Sequence, residues 1–97
     1  MSVVSYLKLH LKPEFIQDFE RDLQDMVQLS KEQPGFLSVE ALRPLGMDSD
    51  YVIVSEWESE DAFKAWEHSS RHDEIMGLYE HDRFSQKYEK MRLERYR

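Results

Sequence analysis

Residues 3–11, VVSYLKLHL, alternate between apolar and polar positions. Val3, Leu7, Leu9 and Leu11 share one face, with Ser5 among them, and Tyr6, Lys8 and His10 take the other. That is the pattern of a strand with one face against a core. Pro13 suits a first helical turn, where its missing N–H costs nothing. Phe15, Ile16, Phe19, Leu23, Met26 and Val27 then recur at helical spacing, opposite Glu14, Asp18, Arg21, Asp22 and Asp25. The spacing predicts an amphipathic helix of about four turns, ended before Pro34 and Gly35. FLSVEALRP, residues 36–44, predicts a second strand that stops at Pro44. After the turn chemistry of residues 45–50, YVIVSEW, residues 51–57, predicts a third, and the short connection implies a hairpin.

Ser59 then stands where a helix cap belongs, with Glu60 and Asp61 complementing the positive end of the helix. Phe63, Trp66 and Ser70 form its stripe, flanked by Ala62 and Ala65, and His68 points away from it. The phase breaks after Ser70. His72, Ile75, Met76 and Tyr79 form a new stripe, which predicts a second short helix to about residue 82. The charged end, residues 85–97, is read as a fourth strand. The order β-α-β-β-α-β is the α+β, ferredoxin-like arrangement, an antiparallel sheet with helices on one face. The other face is left open, with Tyr6 and Phe36 placed on it. An open, partly aromatic sheet face invites a second copy of the chain, and a two-fold homodimer is the expected partner.

Composition narrows the field. Ninety-seven residues, 40% hydrophobic and 34% charged, describe a single globular domain over 1–97. No apolar run approaches the roughly 18 residues of a membrane span. The first residues read as a strand and not as a signal peptide, so a cytoplasmic location is expected. The absence of cysteine excludes disulfides, thiolate nucleophiles and zinc–thiolate sites. The net charge of −7 argues against nucleic acid. That charge is uneven. Residues 48–82 carry eleven acids against Lys64 and Arg71, and residues 87–97 carry five bases against two acids. The basic end is read as a solvated strand face that meets the acidic middle, in preference to an anion site.

QPGFLSVEALRP followed by YVIVSEWESEDAFKAWEHSSRH resembles the antibiotic biosynthesis monooxygenase superfamily. The likeness rests on the P-G-F entry to strand two and on W-x-S-x-x-A-F-x-x-W-x-x-S, matched by Trp57, Ser59, Ala62, Phe63, Trp66 and Ser69, with His72 a few residues on. With strand one and Pro13 included, it runs over nearly the whole chain. The resemblance implies a dimeric α/β barrel, in which two sheets face each other and each subunit keeps a pocket between sheet and helices. Members include cofactor-independent oxygenases of anthrones and quinols, heme-degrading monooxygenases and a signal-processing isomerase. Fold membership alone does not settle activity.

Candidate residues follow from both lines. Trp66 matches the helix tryptophan that lines the pocket in related oxygenases, and a packed core tryptophan is its plain alternative. Phe63 and Leu7 would join it as substrate-binding walls, with Tyr79 and Met76 from the second short helix. Trp57 is read as structural, packing over the start of the helix. His72 could carry a proton to or from a phenolic substrate, the alternative being a histidine that meets helix-terminal carbonyls. Tyr6 and Tyr79 could bond a quinone oxygen or serve as buried tyrosines. His10 and His81 are read as surface residues. His68 and His72 stand four apart without a third ligand, so no metal is expected. In heme degraders the resemblance puts the iron-ligating histidine ten residues after the helix tryptophan, where this chain has Met76. It puts a pocket asparagine where this chain has Leu7, and the chain has no asparagine at all. Heme is therefore disfavoured, and no cofactor is expected. Three alternatives result: a cofactor-independent monooxygenase of a small aromatic or quinol, a non-catalytic dimer that binds heme or a hydrophobic metabolite, and a purely structural member of the family.

Overall fold

The computed structural model describes residues 2–46, 50–69 and 85–96, with side chains from residue 89 onward in the last stretch. The elements run β1 (Val3–Leu11), a 3-10 turn (Pro13–Phe15), α1 (Ile16–Lys31), β2 (Phe36–Leu42), β3 (Asp50–Trp57), α2 (Glu60–Glu67) and β4 (Ser85–Glu94). The strands form one antiparallel sheet in the order β2-β3-β1-β4. This is the ferredoxin-like α+β arrangement that the element order predicts. Strand two ends at Leu42, two residues before Pro44, because proline cannot donate to the ladder. The second short helix, with His72, Met76, Tyr79 and His81, lies outside the described residues. No helix among those described is long and apolar enough to cross a membrane.

The core lies between one face of the sheet and the two helices. β1 contributes Leu7, Leu9 and Leu11, β3 contributes Tyr51, Ile53 and Trp57, and the helices contribute Phe19, Leu23, Met26, Phe63 and Trp66. Fully burying such a side chain stabilises the fold by about 1.5–3 kcal/mol. Trp57 is fully buried at the centre of an aromatic cluster. Its ring stacks on Trp66 at 6.2 Å and meets Phe36 and Phe63 edge-on at 5.6 and 6.2 Å. Its Nε1 donates to Ser55 Oγ at 3.0 Å. Trp57 thus holds the strand-to-helix joint, the structural role expected of it.

Phe36 is a correction. Simple alternation along β2 puts it on the open face, but the register shifts between Phe36 and Ser38. Phe36 stands opposite Trp57 and Ser38 opposite Glu56. The extra residue inverts the parity of the strand, so Phe36 shares the helix-covered face with Val39 and Ala41. His10 is also less exposed than expected, and its Nδ1 lies 2.5 Å from Asp50 Oδ1.

Ser59 caps α2 by accepting from the Ala62 N–H at 3.1 Å. Gly35 enters β2 at φ +81°, a conformation that favours glycine. Its carbonyl accepts from the Glu58 N–H at 2.8 Å. A Cβ there would meet the Ala62 Cβ at 2.5 Å. The P-G-F turn and the small residue of α2 are therefore two sides of one contact.

Candidate active site

A cavity of about 140 Å³ opens between the sheet and the helices. Sheet register arranges its floor in rows. Ser55, Ser5 and Arg92 stand side by side on β3, β1 and β4, and Ile53, Leu7 and Lys90 form the next row. All six line the cavity, with Val39 extending the first row on β2. The helices close it from above, with Met26 and Ser30 on α1 and Phe63, Trp66 and Glu67 on α2.

The helical stripe explains the last group. Phe63 and Trp66 are three residues apart and both point at the sheet, and each is nearly fully buried. Glu67 follows at the end of the helix, with its carboxylate only 16% exposed and its Oε2 3.7 Å from Lys90 Nζ. His68 turns outward, 77% exposed, as its helical phase predicts.

Of the residues singled out from sequence, Trp66, Phe63 and Leu7 come together as cavity walls. His72, Tyr79 and Met76 fall outside the described residues. Tyr6 lies on the other sheet face, since it pairs with Val54 and not with the cavity row. Sequence reasoning missed the polar lining: Ser5, Ser30, Ser55, Glu67, Lys90 and Arg92. Ser5 did leave a signal, as a hydroxyl among the apolar positions of β1. Ser30 left another, four residues after Met26 on the buried stripe. Its Oγ donates to the Val27 carbonyl at 2.8 Å and keeps acceptor capacity toward the cavity. Lys90 and Arg92 left none, because only the β1–β4 register shows which face they take.

The basic end does meet the acidic middle, as expected. Lys90 reaches Glu67, Arg92 Nη1 lies 3.9 Å from Glu60, and Arg95 Nε bonds Glu56 at 2.6 Å. Two of these cations also border the cavity, which the picture of a merely solvated face does not include. The Arg92 guanidinium lies over the Phe63 ring at 5.7 Å from its centroid.

Comparison with known proteins agrees with this architecture. The family model for antibiotic biosynthesis monooxygenase matches residues 2–78. The chain belongs to the antibiotic biosynthesis monooxygenase family. A heme oxygenase (mycobilin-producing) of Mycobacterium tuberculosis is 35% identical over 49 residues, 50% of this chain and 47% of that protein. The aligned part is thus about half the length of that curated relative. A conserved protein from Methanosarcina mazei shares the fold with a TM-score of 0.88 at 18% identity, over 98% of this chain and 93% of that one. SnoaB, a cofactor-independent oxygenase from Streptomyces nogalater, superposes with a TM-score of 0.84 at 19% identity, over 99% and 94% of the two chains. Among the described residues, the lining of the Trp66 cavity offers an apolar bed, serine hydroxyls and one carboxylate beside two cations.

Proposed function

We propose that the protein is a cofactor-independent monooxygenase acting on a small aromatic, quinol-type substrate. The observation that carries this is the cavity itself, a slot walled by Trp66, Phe63, Leu7 and Ile53 and lined by the hydroxyls of Ser5, Ser30 and Ser55. A desolvated quinol in such a slot is held by ring contacts and oriented by a few hydrogen bonds. Loss of a phenolic proton raises the electron density of the ring, which then reduces dioxygen. One oxygen atom enters the ring and the other leaves as water, so a quinol becomes a hydroxyquinone and supplies all four electrons itself. His72 is the proposed proton acceptor, because imidazole changes protonation near neutral pH. Tyr79 and Met76 are the proposed further walls.

Cavity size favours this over a porphyrin ligand. An engineered apolar cavity of about 150 Å³ takes up benzene, and the space framed by the described residues is about 140 Å³. The proposal includes a two-fold dimer through the open sheet face. Val4, Tyr6, Val52 and Val54 stand there half-buried, and Met91 and Leu93 are each 47% exposed.

The test is oxygen uptake with a panel of hydroquinones and anthrones. At least one should be consumed above the uncatalysed rate, with uptake reduced by about tenfold or more in Trp66→Ala and His72→Ala. Uptake by no compound, or uptake unchanged in both variants, overturns the proposal. A Soret band with added hemin and no turnover would identify a binding protein instead.

A further inference from the structure

Lys90 and Arg92 stand on a sheet face that is otherwise the core. Their cross-strand neighbours on β1 are Leu7 and Ser5, and Ile53, Ser55 and Trp57 share the same face on β3. The apolar residues of β4, Met91 and Leu93, pair with Tyr6 and Val4 on the opposite face. A charge costs free energy when it is taken from water. Both side chains accordingly stay partly exposed, at 38% and 47%, and stand over the rim of the cavity. Of the charged groups that line it among the described residues, two are cations and one is the carboxylate of Glu67. That local excess is opposite to the net charge of −7.

The ion pairs these cations make with α2 are long. Lys90 lies 3.7 Å from Glu67, and Arg92 lies 3.9 Å from Glu60, which holds Lys64 at the shorter distance of 3.0 Å. Partly exposed pairs of this kind contribute little to stability. Among the described residues the Arg92 guanidinium makes no hydrogen bond, and it lies against the face of the Phe63 ring. Its planar fork matches a carboxylate with two parallel hydrogen bonds.

We infer that the ligand of this cavity is a single aromatic ring bearing a carboxylate, with the ring among Trp66, Phe63 and Leu7 and the carboxylate on Arg92 beside Lys90. The cavity volume admits one ring, and the cations at its rim select an anionic substituent. The inference rests on the proposed oxygenase reading of the cavity and narrows its substrate class to phenolic acids.

Two measurements separate the inference from that reading. Calorimetric titration of the whole protein with 4-hydroxybenzoate and with phenol reads recognition alone, since neither is a quinol. The acid should bind about tenfold more tightly at low salt, and added salt should erode the preference. In Arg92→Gln the preference should largely vanish, while Arg92→Lys should keep part of it. Unchanged thermal melting of each variant confirms an intact fold. Oxygen uptake with 2,5-dihydroxybenzoate and hydroquinone reads the chemistry. Equal binding of acid and phenol, or a full preference in a folded Arg92→Gln, overturns the inference and leaves the oxygenase reading standing. Preference for the acid without oxygen uptake by either quinol supports carboxylate recognition and counts against the oxygenase. Binding of neither compound overturns the inference whatever the oxygen electrode records.

Discussion

Gly35 meets two demands at one residue. Its φ of +81° lies where an L side chain is strained, and the space a Cβ would fill is taken by the Ala62 Cβ at 2.5 Å. Gly35→Ala should therefore destabilise the protein by about 2 kcal/mol, from backbone strain and overpacking together. Urea unfolding would show this as an earlier midpoint. A change within about 0.5 kcal/mol would mean that the joint between β2 and α2 gives way easily. The P-G-F sequence announced a turn, but its partner Ala62 was visible only as a small residue on a helix. Ser5 shows the same limit. Its hydroxyl interrupted an apolar face in the sequence, and its neighbours Ser55 and Arg92 came from strands 50 and 87 residues away in the chain.

Among the elements, β1, α1, β3 and the start of α2 were legible because their patterns are local. Two-residue alternation, a helical stripe and a capping serine each act within a few residues. β4 was the least legible, since its charged residues alternate with Met91 and Leu93 and either set could have faced the helices. Pairing with β1 decided the matter. The same pairing brings Arg95, just past β4, onto Glu56 of β3, where Arg95 Nε donates at 2.6 Å and Ser2 Oγ at 2.5 Å. These bonds, the one from Arg95 foremost, lower the Glu56 pKa from 4.5 to about 2. A carboxyl whose pKa falls on folding adds stability above its unfolded value and loses it as the folded value is reached. Glu56→Gln should thus lower the melting temperature at pH 7, with the difference from the unaltered protein narrowing as pH falls from 4.5 toward 2. A difference that stays constant over that window would show that the carboxylate is not held by these donors.

At the scale of the whole molecule, the sheet has two unlike faces. Helices cover one, and the other presents Val4, Tyr6, Val52 and Val54 with the more exposed Leu42, Met91 and Leu93. A chain this small buries only about 60–65% of the surface its unfolded form exposes, so covering an apolar face with a second copy would stabilise both. The proposed dimer predicts that Leu93→Asp sediments as a folded monomer at concentrations where the unaltered chain is dimeric. A dimer that survives this change would place the contact elsewhere. The bulge in β2 that turns Phe36 inward belongs to this scale too, because nothing within FLSVEALRP marks the extra residue. The sequence alone determined the order of the elements, the buried stripe of each helix and the aromatic residues of the family motif, because those depend on near neighbours. Only the tertiary structure decided which strand residues share a row. It set Lys90 and Arg92 at the same cavity as Trp66 and gave that cavity a charged rim, because cross-strand register is made between residues far apart in the chain.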